Sequence, residues 1–426
     1  MLKKNFFYEL KNRGLIAQIT NYNKVSDILI NKKITVYCGF DPTADSLHVG
    51  HILPLLYLKR FQLAGHTPII IIGGATSLVG DPSFRSKERE LLDSSKKHFK
   101  WIKKIENQIY KFLDFSNISN KAIILNNYNW FKKINILSFL RNIGKYFSIT
   151  QMINKESVKQ RITRADQGIS FTEFSYSLLQ AYDFYFLYKK YNVCLQIGGS
   201  DQWGNITSGI NLIHSLTKSE AFGLTFPLLI KSDGVKFGKT GLKTIWLDPK
   251  KTTPYEFYQF WINITDQEVY NYLKYFTFIN LKKIDEIKNL ENNQIKCIKF
   301  KEKLAKDMTI LVHGKNKYMS VKKISTIFFS YTINNLTEEN LKNFKDDGAP
   351  CITIKNLRYS IQEILLLSNL ANSKQQARNL ISSNAISINY KKMNILNYFL
   401  LDSDKLFNKY TLITKGKKKF CLIIWK

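Results

Sequence analysis

The chain has 426 residues and carries 64 Lys and Arg against 33 Asp and Glu, a formal net charge of +31. This length predicts two or three domains with a substantial core, and the charge indicates a polyanionic partner, although an A/T-biased coding sequence would also enrich lysine. Five cysteines without C-x-x-C spacing argue against a disulfide framework or a zinc site and indicate a reducing, cytoplasmic location. No apolar run reaches the roughly 18 residues of a membrane span, and we expect no membrane association.

Residues 34–65 are the first informative stretch and read as a strand, a polar loop and a helix. Ile34–Phe40 is β-branched and aromatic, Asp41–Thr43 has turn chemistry, and apolar residues then recur with helical spacing as far as Gly65. A strand that leads through a loop into a helix N-terminus is typical of an anion site, because free backbone N–H groups and the helix dipole both face the loop.

Two histidines occupy the first helical turn of this stretch. His48 and His51 share one face, their ring nitrogens can donate to phosphate oxygens, and Gly50 lets a flat ring approach the backbone. Two surface histidines placed there by chance are the alternative. The string His48-Val49-Gly50-His51 resembles the H-x-G-H motif of class I aminoacyl-tRNA synthetases, and the longer YCGFDPTADSLHVGH resembles the tyrosyl enzymes of bacterial type.

The resemblance continues over nearly the whole chain and implies both a fold and a reaction. The fold is α/β, with a Rossmann-like parallel-sheet catalytic domain followed by a helical domain and a small α+β RNA-binding domain. The reaction converts L-tyrosine and ATP to tyrosyl-adenylate and pyrophosphate, and then transfers tyrosine to the 3′-terminal adenosine of tRNA(Tyr). The resemblance also implies a homodimer, Mg²⁺ accompanying ATP, and no protein-bound metal.

An apolar run followed by a basic loop comes next in the chain. Thr67–Gly74 is typical of a central parallel strand, and the polar loop 81–89 contains three cations. A solvated surface loop is the alternative interpretation. The resemblance implies a mobile loop that holds pyrophosphate, with Arg85 replacing the usual lysine and Arg89 matching the second basic position.

Residues 171–191 predict a helix with a polar stripe on an otherwise apolar surface. The stripe consists of Glu173, Tyr176, Gln180 and Asp183, spaced at i, i+3, i+7 and i+10. A buried polar stripe must find partners in the protein or in a ligand, whereas a solvent-facing stripe needs none. The resemblance implies that Tyr176 and Gln180 hold the substrate α-ammonium together with Asp81, and that Asp183 and Tyr37 bind the phenolic hydroxyl.

The stretch VCLQIGGSDQWGNI, residues 193–206, reads as a strand, a glycine turn and a helix start. Gly199 permits close approach of a ligand, and Asp201 can chelate vicinal ribose hydroxyls. The resemblance implies that Asp201 binds the ATP ribose, that Cys38 approaches it, and that Gln202 contacts tyrosine near its carboxylate. It places Asp41, Gly50 and Gly199 in the ATP site as well.

The glycine- and lysine-rich loop 231–244 is a weak signal alone, because flexible basic loops are common. Its string Lys236-Phe237-Gly238-Lys239-Thr240 resembles the second signature of class I synthetases, although Gly241-Leu242-Lys243 departs from the usual continuation. The resemblance implies that charge on the phosphates is met by Thr43, His48, Arg85, Arg89, Lys236 and Lys239. It implies that His51 serves ATP binding.

The residue pattern changes in the remaining part of the chain. Residues 254–330 have helical periodicity, 331–356 contain turn residues typical of a linker, and 358–393 predict two helices and a strand. The predicted division is a catalytic domain at 1–230, a signature loop at 231–245, a helical anticodon-side domain at 246–330, a linker at 331–356 and an RNA-binding domain at 357–426. Its RNA-binding cations are Lys374, Arg378, Lys391, Lys392, Lys417 and Lys418.

Two other functions remain open at this point. A tryptophanyl-tRNA synthetase would share the fold, but Tyr37, Asp183 and the carboxy-terminal domain argue against it. A non-catalytic RNA-binding protein on a synthetase scaffold is the second alternative, and the intact signature motifs argue against it.

Overall fold

The computed structural model describes residues 6–83, 95–116, 119–162, 168–229, 237–240, 243–289, 294–329, 337–346, 348–355, 358–416 and 419–426. The chain forms two compact units. The first comprises Met1–Leu247 with Thr265–Cys297, and the second comprises Asp248–Ile264 with Ile298–Lys426. The five domain boundaries inferred from the sequence stay a prediction. None of the described helices is both long and apolar enough to cross a bilayer.

The helices and strands are numbered here along the chain. The helices are α1 (Phe6–Asn12), α2 (Tyr22–Asn31), α3 (Ile52–Leu63), α4 (Thr76–Val79), α5 (Ser95–Ile109), α6 (Tyr128–Phe131), α7 (Ile136–Asn142), α8 (Ile149–Ile153), α9 (Glu156–Ile162), α10 (Phe171–Tyr191), α11 (Trp203–Thr217), α12 (Pro254–Ile262), α13 (Asp266–Phe276), α14 (Leu281–Asn289), α15 (Gln294–His313), α16 (Lys315–Phe329), α17 (Glu338–Asp346), α18 (Ile361–Leu367) and α19 (Lys374–Ser382). The strands are β1 (Gln18–Ile19), β2 (Thr35–Phe40), β3 (Thr67–Ile72), β4 (Ile123–Asn126), β5 (Val193–Gly199), β6 (Phe222–Phe226), β7 (Lys239–Thr240), β8 (Lys243–Thr244), β9 (Cys351–Ile354), β10 (Ile386–Ile388), β11 (Lys391–Met393), β12 (Tyr410–Lys415) and β13 (Lys419–Trp425).

A mostly parallel sheet organises the first unit. Six of the described strands follow the order β1-β6-β5-β2-β3-β4, and only the edge pair β1–β6 is antiparallel. The isoleucines of β3 are almost fully buried, as expected for a strand covered on both faces. Strand order reverses between β2 and β5, and a ligand crevice is expected outside the carboxyl ends of the strands at such a point. The predicted α/β fold with a Rossmann-like sheet is confirmed.

Two helices carry polar residues to this crevice. A 3-10 turn at 49–51 leads from the β2 loop into α3. Helix α10 begins where the Ser170 hydroxyl accepts the Glu173 N–H, at 3.2 Å, and ends at Asn192 in the left-handed conformation. The polar stripe of α10 is not solvent-facing, because Glu173, Tyr176 and Asp183 are buried.

The second unit contains helices and a smaller sheet. Five of its described strands follow the order β11-β10-β12-β13-β9, and isoleucines from α18, α19, β10 and β13 form its core. Helix α17 and strand β9 lie inside residues 331–356, where the sequence predicts a linker. That prediction is wrong for these two elements. Leu341 and Phe344 bury one face of α17, and β9 gains order by parallel pairing with β13, which local turn residues do not reveal.

Candidate active site

A cavity of about 600 Å³ opens at the point where strand order reverses, within the size range of small-molecule sites. Every residue predicted to bind tyrosine or ATP whose side chain the structure describes lines this cavity. These residues are Tyr37, Cys38, Asp41, Thr43, His48, Gly50, His51, Asp81, Tyr176, Gln180, Asp183, Gly199, Asp201 and Gln202. Arg85, Arg89 and Lys236 lie outside the described residues, and for Lys239 the structure describes only the backbone, in β7.

The deepest part of the cavity holds a buried carboxyl group and a buried phenol. Asp183 on α10 accepts hydrogen bonds from Trp130 Nε1, at 2.8 Å, and from Asn127 Nδ2, at 3.0 Å. Burial raises the pKa of Asp183 to about 8, although both hydrogen bonds oppose the shift. The hydroxyl of Tyr37, only 1% exposed, has no hydrogen-bond partner among the described residues. A ligand hydroxyl placed here would form hydrogen bonds with both Asp183 and Tyr37.

Asn127 connects this pair to the rest of the cavity. Its amide Nδ2 also donates to the Thr76 hydroxyl, at 3.0 Å, and its carbonyl accepts the Ala75 N–H, at 2.7 Å. The Thr76 hydroxyl in turn donates to Asp41, at 2.8 Å, and so the amide hydrogens and the carbonyl of Asn127 are all used. Sequence reasoning missed Asn127 and Trp130. The signal was their position directly after β4, at the same sheet edge as the cavity.

Gln196 is a further residue that sequence reasoning missed. It stands beside Tyr37 in the parallel register of β5 and β2, lines the cavity, and is 2% exposed. Its carbonyl oxygen has no partner among the described residues. The available signal was a glutamine between Leu195 and Ile197 in an otherwise apolar buried strand, because a buried amide is costly unless it is hydrogen-bonded.

The groups predicted to bind the amino-acid backbone form two separate pairs. Gln202 Nε2 donates to Asp81 Oδ2, at 2.8 Å. The hydroxyl of Tyr176 donates to Asp41, at 2.9 Å, rather than to Asp81. Asp41, predicted only for ATP, therefore also belongs to the network that contains Tyr176. Asp41 and Asp81 thus supply two carboxylates to this part of the cavity, which suits a ligand ammonium.

The first signature motif forms a compact histidine pair at the other end of the cavity. The backbone N–H of His48 donates to Nδ1 of His51, and the N–H of Gly50 donates to Nδ1 of His48, both at 3.1 Å. Each ring uses Nδ1 as an acceptor, which places the proton of the neutral imidazole on Nε2. A Cβ on Gly50 would lie 2.8 Å from the His48 ring, so only glycine fits. Burial, followed by the charge of His48, keeps the pKa of His51 well below its usual value.

Cys38 shares this end of the cavity and is chemically quiet. Burial, with a smaller effect of Asp201, raises the pKa of its thiol to about 12. A thiol held in that form is a poor nucleophile and metal ligand. No cluster of three or more His, Cys, Asp and Glu suited to a metal is found in the described part of the chain.

The predicted RNA-binding cations lie in the second unit. Lys374 and Arg378 are exposed one turn apart on α19, and Lys391 and Lys392 are exposed on β11. Lys392 donates to the carbonyl of Asn384, at 2.8 Å. Lys417 and Lys418 lie outside the described residues.

Similarity to known proteins agrees with the motifs and the cavity. A family model described as tRNA synthetases class I (W and Y) matches residues 30–330, and a model described as Tyrosine--tRNA ligase SYY-like C-terminal domain matches residues 340–423. The fold and site thus define a class I aminoacyl-tRNA synthetase of the tryptophan and tyrosine group.

Relatives narrow the assignment within that group. The chain is 57% identical to a tyrosine--tRNA ligase of Buchnera aphidicola from Schizaphis graminum, over 98% of both chains, and 50% identical to one of Escherichia coli over all of both chains. A solved structure of a C-terminally truncated mitochondrial tyrosyl-tRNA synthetase from Aspergillus nidulans is 32% identical, with a TM-score of 0.68, and covers 76% of this chain and 94% of its own. The chain belongs to the tyrosine--tRNA ligase family, as the motifs predicted, and the tryptophanyl alternative is correspondingly weaker.

Proposed function

We propose that the protein activates L-tyrosine with ATP and transfers it to tRNA(Tyr). One observation supports the amino-acid specificity: a single cavity is lined both by Tyr37 and Asp183, which we assign to the substrate hydroxyl, and by the signature histidines. A site that hydrogen-bonds a substrate hydroxyl strongly rejects an analogue that lacks it, because its own buried groups then stay unpaired; tyrosyl enzymes are the standard example.

Activation requires positioning rather than a general base. The tyrosine carboxylate, already ionised at neutral pH, attacks the α-phosphorus of ATP, a new acyl–phosphate bond forms, and the bond to pyrophosphate breaks. Asp81 and Asp41 would attract the ammonium, and Asp201 would accept from the ribose hydroxyls. His48, Thr43, Lys236, Lys239, Arg85 and Arg89 would stabilise the negative charge that develops on the phosphates.

Mg²⁺ would enter with ATP as part of the substrate. It prefers phosphate oxygens and water over a dedicated protein cage, and it would neutralise phosphate charge during activation. In the second step, a hydroxyl of the terminal tRNA ribose attacks the carbonyl carbon of the adenylate and displaces AMP. We place both steps in the cytoplasm, where the tRNA is available.

ATP–pyrophosphate exchange measured with tyrosine, tryptophan and phenylalanine tests the activity. We expect exchange with tyrosine alone. Faster exchange with tryptophan would support the tryptophanyl alternative, and no exchange with any amino acid would support the RNA-binding scaffold.

We also propose that the first unit forms a homodimer through an apolar surface on α7, α8 and α10. Ile136, Leu137, Ile149 and Phe171 are each more than 60% exposed, and Phe171 reaches 78%. The inner faces of the same helices pack around Phe139, Met152 and Leu178. Several large apolar side chains exposed on helices that share one core favour a protein interface over a solvated face.

Sedimentation of full-length variants tests the dimer. Leu137→Glu combined with Phe171→Glu should convert the dimer to monomer. Leu63→Glu is the control, because Leu63 is 59% exposed on α3, which is not part of the proposed surface. A wild-type monomer, or a dimer that survives the double change, would refute the proposed interface.

The cations on α19 and β11 are proposed to anchor the tRNA backbone. Lys374→Glu with Arg378→Glu should lower aminoacylation roughly tenfold or more and leave adenylate formation unchanged, because phosphate contacts would be lost. The control is Lys355→Glu with Lys409→Glu, which changes net charge equally at two other exposed lysines of the second unit. Equal losses in both variants would mean that only net charge matters.

A further inference from the structure

The two signature motifs are joined by a backbone seam in the first unit. The N–H of Val49 donates to the carbonyl of Ile245, and the N–H of Leu247 donates to the carbonyl of Leu47, both at 2.8 Å. His48 and Trp246 form an antiparallel bridge at the centre of the seam. The chain that follows the second signature is therefore held against the loop that carries the first.

Gly238 closes this seam from the side of the second signature. Its carbonyl accepts the N–H of Ile245, at 2.9 Å, and its φ is +88°. A Cβ at this position would lie 2.5 Å from the Val49 side chain. The second signature thus packs directly on the first, at a position where only glycine has both the space and the backbone conformation.

Phe237, the residue before Gly238, packs against helix α13 rather than against the first signature. Its ring is 7% exposed and stacks on Phe276 with centroids 5.4 Å apart and planes 23° apart. It also meets Tyr272 edge to face, at 5.1 Å. Tyr272 and Phe276 lie one turn apart on α13 and are themselves buried, so the phenylalanine sits in a preformed aromatic notch.

Helix α13 is in turn fixed to the helix that follows the first signature. Arg60 on α3 donates to the carbonyl of Thr277, and Arg13 donates to the carbonyls of Lys274, at 3.1 Å, and Ile279, at 2.7 Å. Both guanidinium groups are almost fully buried. They satisfy a carbonyl in the last turn of α13 and two carbonyls in the segment that follows it, where the helix supplies no donors. Phe237 is therefore anchored to a helix that is hydrogen-bonded to α3 through Arg60.

We propose that Phe237 is a positioning residue for tyrosine activation. Its ring, held in the notch of Tyr272 and Phe276, sets the position of the second signature relative to His48, and Lys239 lies only two residues further on. A misplacement of about 1 Å can cost roughly 10²-fold in rate when catalysis depends on positioning. The inference rests on the proposed function, because it concerns the same activation step.

The experiment compares Phe237→Leu with Phe6→Leu in the full chain. Phe6 is also buried in the first unit, where it packs edge to face on Phe61 at 5.0 Å, away from the second signature. Phe237→Leu should lower the single-turnover rate of adenylate formation roughly 10- to 100-fold and change the tyrosine dissociation constant less than about twofold. Phe6→Leu, with a similar loss of packing, should leave the rate unchanged.

A second comparison separates positioning from a general loss of structure. In a Lys239→Ala background, Phe237→Leu should lower the rate at most about threefold, because the group that it helps to position is gone. Phe276→Leu should lower the wild-type rate in the same way as Phe237→Leu, and the two changes together should cost no more than either alone.

Three results would overturn the proposal. These are a Phe237→Leu rate within twofold of wild type, an equal fall with and without Lys239, or a loss confined to tyrosine binding. If Phe237→Leu proves too unstable to assay, Phe276→Leu alone decides by the same criteria. Failure of the wild-type chain in pyrophosphate exchange would instead refute the proposed function, and so the two failures are distinguishable.

Discussion

The two ends of the cavity are built in different ways. The buried end is lined by side chains from β2, β5 and α10, and Asn127 and Trp130 donate hydrogen bonds to Asp183. At the signature end, backbone groups dominate: N–H groups orient the two histidines, and a backbone seam joins the two motifs. The contrast suggests that amino-acid specificity depends on fixed, desolvated side chains, whereas phosphate chemistry depends on how two segments are placed.

The largest expected effect comes from removing the buried carboxyl group. Asp183→Ala should lower kcat/KM for tyrosine roughly 10³-fold or more, because the substrate hydroxyl, Asn127 and Trp130 would all lose a buried partner. Pyrophosphate exchange over a range of tyrosine concentrations gives this value, and the ATP dissociation constant serves as the internal control. Tyrosine activation within twofold of wild type would show that the buried end does not read the hydroxyl.

The next largest effect is expected at the signature end. His48→Ala and Lys239→Ala should each lower the rate of adenylate formation roughly 10²- to 10³-fold with little change in tyrosine binding, since we propose that both groups meet charge that grows in the transition state. Lys243→Ala is the control, because it removes a neighbouring lysine in β8 that has no assigned role. A loss that appears only as weaker tyrosine binding would contradict the division between the two ends.

Sequence alone predicted the elements of the first unit because their signals are local. The β-branched run of β2, the apolar run of β3 and the helical spacing of α10 each identify an element without tertiary information. The same holds for the cavity residues that belong to continuous motifs, such as His48, Asp201 and Gln202. Family resemblance, rather than periodicity, assigned their roles, which the structure leaves as proposals.

The residues that sequence reasoning missed depend on tertiary contacts. Asn127 directly follows β4 and meets α10 only in the folded structure. Gln196 is distinguished by a buried carbonyl oxygen that has no partner among the described residues. Strand β9 forms by pairing with β13, about 70 residues later in sequence. The pairing of β9 has no short-range pattern, which explains why the linker prediction was wrong there.

A smaller effect is expected when the support of the buried carboxyl is removed. Asn127→Ala should lower kcat/KM for tyrosine roughly 10- to 100-fold, because Asp183 loses one of its two donors and the connection to Thr76 is broken. Asn126→Ala provides a matched control at the end of β4, since the Asn126 side chain accepts the N–H of Tyr128, at 2.9 Å, instead of supporting Asp183. If both variants behave alike, the effect is a general loss of structure rather than a loss of support for Asp183.

The smallest effect concerns the pH dependence of stability. Burial raises the pKa of Asp183 from 3.8 to about 8, and Tyr37, whose pKa burial also raises, stays neutral across this range. The folded protein therefore holds this proton more tightly than the unfolded chain does. As a consequence, the carboxyl destabilises the fold increasingly as the pH rises from about 4 to about 8, and the full penalty is present above that range.

Asp183→Asn carries no titrating proton and escapes this penalty. Its free energy of unfolding relative to wild type should increase by more than about 1 kcal/mol between about pH 5 and about pH 9, measured by urea denaturation at each pH. Asp27→Asn, which removes a carboxylate at an exposed position on α2 where it accepts from Asn31, is the matched control for the same chemical change. A flat difference for Asp183→Asn would mean that the carboxyl of Asp183 is ionised in the folded protein near neutral pH. The buried end would then hold a fixed negative charge, and charge would contribute to ligand binding at both ends of the cavity.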